Sequence, residues 1–119
     1  KDQVGLLKIW ELLRPEVCSR FNEQVSDMPS VAYFSYGGWC AFWQMAPFLW
    51  LSFAVLLKAE GHNDGLVSAS SARWGRYLGN LPSDHLQQVG WDFAITRNKA
   101  FKSTRFYLEL ANFLSRSGF

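Results

Sequence analysis

Apolar positions recur with a helical period at both ends of the chain. Leu6, Ile9, Trp10 and Leu13 fall at i, i+3, i+4 and i+7, which puts them on one face of a helix over 2–13. Pro15 stops that helix. With Glu16 behind it, Pro15 opens a second one running to about Val25, because proline fits a first turn and an acid there complements the helix dipole. Near the other end, Phe106, Leu110, Phe113 and Leu114 fall at i, i+4, i+7 and i+8 within 99–117, with Gly118 as the stop. Packing by that face is expected.

Between these helices the period changes. Residues 31–36 form a short β-branched and aromatic run closed by two glycines, which predicts a buried strand ending at Gly37. A second strand is expected over 76–81, ahead of Pro82, whereas 66–74 is ambiguous. Residues 44–58 are apolar nearly all round, so a helix or broken helix covered on most sides should end at Gly61, before the turn Asn63-Asp64-Gly65. Two or three strands separated by helices describe a piece of an α/β layer: a few parallel strands with flanking helices, incomplete on its own, with sheet edges unpaired and faces short of cover.

Composition narrows the classes. The 119 residues are 49% hydrophobic and 17% aromatic, enough for a folded core, and 12 basic against 10 acidic residues are too balanced to attract nucleic acid. Residues 39–57 carry no formal charge and approach the length of a membrane span, but Gln44, Pro47 and Ser52 interrupt them and no basic cluster flanks them. Contact with a membrane surface, without spanning it, is compatible with that run. No signal-peptide pattern is present, and the compartment stays open. Cys18 and Cys40 lack the spacing of a zinc site, so no metal or cofactor is expected.

Chemistry enters with Asp64 and His85, 21 residues apart and both placed after predicted strands, where an α/β sheet presents groups to a crevice. A carboxylate bonded to one imidazole nitrogen fixes the tautomer and stabilises the imidazolium, which leaves the other nitrogen free to act as a base. On pattern alone, Asp64 also fits an ordinary Asp-Gly turn and His85 a surface residue.

Gly61-His62-Asn63-Asp64-Gly65-Leu66-Val67-Ser68, then Ser71-Ala72-Arg73-Trp74-Gly75, Leu78-Gly79 and Asp84-His85-Leu86, resemble the C-terminal part of bacterial-type triacylglycerol lipases and related α/β-hydrolase esterases. The run Val31-Ala32-Tyr33-Phe34-Ser35-Tyr36-Gly37-Gly38 resembles the strand and loop preceding the acid in that family, and the likeness extends over about 15–118. It implies the C-terminal portion of an α/β-hydrolase fold, with Asp64 as the triad acid and His85 as the triad histidine. It also places Trp39, Phe42, Trp43, Phe48 and Trp50 near the active-site mouth as candidate substrate-binding residues; the alternative is ordinary core.

The departures from the family pattern shape the expectation. No serine has glycines at both minus two and plus two, so the nucleophile elbow and the upstream oxyanion loop are expected in an N-terminal half of the same hydrolase, the partner of this unit. Gln87 stands where calcium-binding members carry an aspartate, so no calcium is expected. Ser70 stands where some members place a cysteine, which leaves Cys18 and Cys40 unbridged. Asp84 is read as a solvated or turn-forming acid and His62 as an exposed polar residue. The implied function is that of part of a serine carboxylic-ester hydrolase acting on an ester or lipid. The competing reading is a non-catalytic hydrolase remnant, or an apolar binding or membrane-associated module using 39–57.

Overall fold

The computed structural model describes residues 14–96 and 98–119, so the helix expected over 2–13 lies outside the described residues. Two compact units divide the chain, Lys1–Ala32 and Tyr33–Phe119. In the first, α1 spans Pro15–Gln24, as the proline and Glu16 predict, and the amides of Val17 and Cys18 bond to the Arg14 carbonyl at 2.9 and 3.0 Å.

The second unit is built on a βαβ crossover. Strands β1 (Phe34–Gly38) and β2 (Arg76–Leu81) pair in parallel, with Phe34 opposite Arg76, Gly38 opposite Leu81 and one irregularity at Ser35/Tyr36. β1 begins three residues later than its β-branched run suggests. The crossover runs through two 3₁₀ turns, Phe42–Gln44 and Pro47–Leu49, into α2 (Trp50–Glu60), and Gly61 ends that helix with φ 88°. After β2 come a single helical turn, α3 (His85–Gln88), and a long helix, α4 (Ser103–Arg116).

Strand alternation decides how α4 is seated. Phe34 and Tyr36 are two residues apart and project from the same face of β1. Phe113 meets Phe34 edge-on at 5.8 Å, and Phe106 meets Tyr36 at 5.0 Å. The face predicted from helical spacing is therefore the face that packs.

The expectation for 44–58 needs correction. Trp50, Phe53 and Leu56 of α2 are partly buried, but Leu51 is 79% exposed and Val55 and Leu57 are also exposed. Trp50 and Phe53 pack on a short stretch of core before the helix, and among the described residues nothing covers the other side. The apolar core is correspondingly small: Cys40, Met45, Ala46 and Leu49, with Trp50, Phe53 and Leu86 against it. Buried polar side chains surround it, namely Asn63, Asp64, Ser68, Ser83, Asp84, Gln87 and Asn98. Among the described residues no helix is long and apolar enough to cross a membrane.

Candidate active site

Asn63, with no exposed surface, builds the turn that aims Asp64. Its side-chain nitrogen donates to the carbonyls of Phe53 (3.2 Å) and Gly61 (3.0 Å), and its oxygen accepts from the Gly65 amide at 2.9 Å. Gly65 has φ 97°, and a Cβ there would lie 3.0 Å from Leu49 Cβ and 3.1 Å from Met45 Sδ. Only glycine lets the turn press this closely on the core. The turn follows α2 rather than a strand, which corrects one part of the expected placement; His85 does follow β2.

Asp64 is saturated with donors. Its Oδ1 accepts from the amides of Leu66 (3.0 Å) and Val67 (2.7 Å), and its Oδ2 accepts from Gln88 Nε2 at 2.9 Å and lies 2.9 Å from His85 Nδ1. The His85 amide also donates to the Asp64 carbonyl at 2.9 Å. Thus the structure brings together the two residues singled out from the sequence, with the carboxylate side chain 5% exposed and the imidazole 42% exposed. The His85 Nε2 has no hydrogen-bond partner among the described residues. Because β1 and β2 are parallel, their carboxyl ends lie together, and Gly38, Leu81 and the pair sit at that end.

The electrostatics follow from this packing. Burial alone would raise the Asp64 carboxyl, but the hydrogen bonds from His85, Val67 and Leu66 outweigh it and hold the pKa below the usual range. The bond to Asp64 raises the His85 pKa, desolvation works against it, and the charges of Asp64 and Asp84 add to the rise. Such an arrangement fixes Nδ1 as the protonated nitrogen and leaves Nε2 as the proton acceptor.

Asp84 is a residue the sequence reading misplaced. It has no exposed surface, and it caps α3: Oδ1 accepts from the amides of Leu86 (2.9 Å) and Gln87 (2.8 Å) while Gln87 Oε1 accepts from the Asp84 amide at 3.1 Å. The D-x-x-Q spacing of a capping box was the signal available for it. Gln87 itself joins four partners, donating to the Gln44 carbonyl and Asp92 Oδ1 and accepting from Asp84 and Asn98. Gln88 was not singled out at all; its place one turn after His85 shows only once α3 is known.

The five candidate substrate-binding aromatics separate into three groups. Phe42 meets Trp43 at 5.2 Å and Trp50 at 5.7 Å, Trp39 stacks on His62 at 4.2 Å, and Phe48 turns toward Phe93 at 6.2 Å. Trp50 packs partly on the core, while Trp39, Phe42, Trp43 and Phe48 are exposed. A cavity of about 590 Å³ lies beyond α3, lined by Gln87, Asn98, Lys99 and Lys102 among others, and includes neither Asp64 nor His85. Neither cysteine is in a disulfide; the buried Cys40 thiol is pushed up to about 12, first by desolvation and then by the charges of Asp84, Asp64 and Asp92, so it is no nucleophile at neutral pH. Among the described residues no three His, Cys, Asp or Glu side chains converge as metal ligands.

An imidazole held at one nitrogen by a buried carboxylate and open at the other, beyond the carboxyl ends of parallel strands, is the equipment of general-base catalysis in an α/β protein. Over 117 aligned positions the chain is 34% identical to Triacylglycerol lipase 2 of Saccharomyces cerevisiae, a match covering 83% of this chain and 34% of that protein. The chain thus spans about a third of the length of this curated relative. No family model matches the sequence. The similarity supports a lipase-related family for this chain.

Proposed function

We propose that this chain is the C-terminal part of a serine carboxylic-ester hydrolase of the α/β-hydrolase fold, with Asp64 as triad acid and His85 as general base. The observation that carries the reading is the contact of 2.9 Å between Asp64 Oδ2 and His85 Nδ1. The relative's name supports a lipid ester as the substrate class. The finer assignment, to bacterial-type lipases, rests on the N-D-G-L-V and D-H-L elements. A serine from an N-terminal part of the same hydrolase attacks the ester carbonyl while His85 Nε2 takes its proton. Collapse of the tetrahedral intermediate expels the alcohol, which receives that proton from His85. Water, deprotonated by His85 in turn, then releases the acid and restores the serine.

Trp39, Phe42 and Trp43 are the exposed candidate aromatics nearest in sequence to the carboxyl end of β1, and in this reading they contribute to the acyl-binding wall with Phe48 and Trp50. Bare apolar side chains on α2 and an uncompleted two-stranded parallel sheet support a unit completed by further hydrolase strands. They equally favour a non-catalytic apolar binding module, but such a module has no need of a buried carboxylate aimed at an imidazole.

Ester turnover by the full-length protein tests the reading. His85→Ala should lower kcat on the order of 10⁶-fold and Asp64→Asn on the order of 10⁴-fold with the fold intact by circular dichroism, and the two losses should not add. Full activity in His85→Ala overturns it. The isolated 119-residue chain should show no saturable hydrolysis of p-nitrophenyl esters above an imidazole blank.

A further inference from the structure

The geometry points to Gln88 as a positioning residue for the Asp64–His85 pair: its side-chain amide shares Asp64 Oδ2 with His85 Nδ1 and fixes the carboxylate against which the imidazole is held. The inference rests on the reading of Asp64 and His85 as acid and base. Leu66 and Val67 hold Oδ1 by two backbone amides, so that oxygen is fixed by the turn itself. Without Gln88, Oδ2 would be held only by His85, the group it is meant to orient. Gln88 Nε2, at 2.9 Å, supplies a second and independent donor. His85 and Gln88 are the first and last residues of α3, three apart and therefore neighbours on one side of the turn, so a single element delivers both donors to one oxygen.

The surroundings make room for that amide. At Gly38, a Cβ would collide with Gln88 Nε2 and lie 3.0 Å from Asp64 Cβ and 3.1 Å from the Ser83 carbonyl. Only the nitrogen end of the amide can face a carboxylate, so the contact is a donation and glutamate cannot reproduce it. The other charge acting on His85 is that of Asp84, and the nearby Cys40 thiol stays neutral.

The test uses the full-length protein, with His85 titrated by NMR on ¹³C-labelled histidine, the pH dependence of kcat/KM for an ester, and thermal melting. In Gln88→Leu the carboxylate loses its second anchor, so the His85 midpoint should move down toward its ordinary value, and the acid limb of kcat/KM should move down with it. Gln88→Glu keeps size and polarity while setting a second carboxylate beside Asp64, and should move the midpoint up instead. If both variants melt lower but the midpoint and the acid limb stay where they were, Gln88 is only structural and the inference is overturned. Should His85→Ala retain full turnover, the hydrolase reading fails, and the titration of Gln88→Leu still decides the role of Gln88.

Discussion

The Ala46 amide donates to Asp84 Oδ2 at 2.8 Å across 38 residues of chain. The carboxylate that caps α3 through its other oxygen thereby also ties the core segment at Ala46 to the helix that carries His85. The positions of His85 and of the aromatic segment depend on the same side chain.

Replacing Asp84 by alanine should therefore cost more than a helix cap. Loss of the cap contributes about 1 kcal/mol, and a stranded buried Ala46 amide adds roughly 1–3 kcal/mol. Urea denaturation of Asp84→Ala should show a total of about 2–4 kcal/mol, with Asp84→Asn less affected. A loss under ~0.5 kcal/mol would mean that the Ala46 contact is not made in solution.

Stability should depend on pH through the pair in two opposite ways. Asp64 titrates lower when folded, so its contribution is complete above ~4, the unfolded carboxyl range, and disappears as pH falls through the folded value. His85 titrates higher when folded, so its contribution is complete below ~6.5 and is lost as pH rises through the raised value. Denaturation midpoints measured against pH should show both flanks, and Asp64→Asn should flatten both.

Gly65→Ala should strain the turn and push on Leu49 and Met45. A residue forced into a left-handed conformation costs on the order of 1–3 kcal/mol. The melting temperature should drop, and the His85 titration midpoint should shift toward its ordinary value as Asp64 is turned away; an unchanged midpoint would show that the turn tolerates the methyl group.

Thiol labelling should separate the two cysteines. Cys18 is exposed and Cys40 is buried with its pKa pushed up to about 12. Iodoacetamide at neutral pH should modify Cys18 under native conditions and both residues in denaturant. Rapid native labelling of Cys40 would indicate that the small core around Met45 opens readily.

Much of the fold was legible from local pattern. Pro15-Glu16 opening α1, Gly61 ending α2, β2 ahead of Pro82 and the apolar face of α4 each depend on residues within a turn or two of one another, and such signals survive in a linear reading. The coverage of 44–58 was not legible, because periodicity reports how apolar a segment is and says nothing of how many layers stand beside it. Asp84 differs from its expected place for a related reason: its capping box is local, but its second oxygen is taken by the Ala46 amide, far away in sequence.

The residue types at the site, the Asn63-Asp64-Gly65 turn and the order of acid before histidine are properties of the chain written out in a line. Whether Asp64 reaches His85, and that Gln88 joins them on the same oxygen, was decided by long-range closure: parallel pairing of β1 with β2, the Ala46 amide donating to the Asp84 cap of α3, and Gln87 of α3 donating to the Gln44 carbonyl. The physical reason is the range of the forces. Backbone dihedrals and turn chemistry act over a few residues, whereas a hydrogen bond across 21 residues exists only when the intervening helix, turn and strand have each been fixed in space.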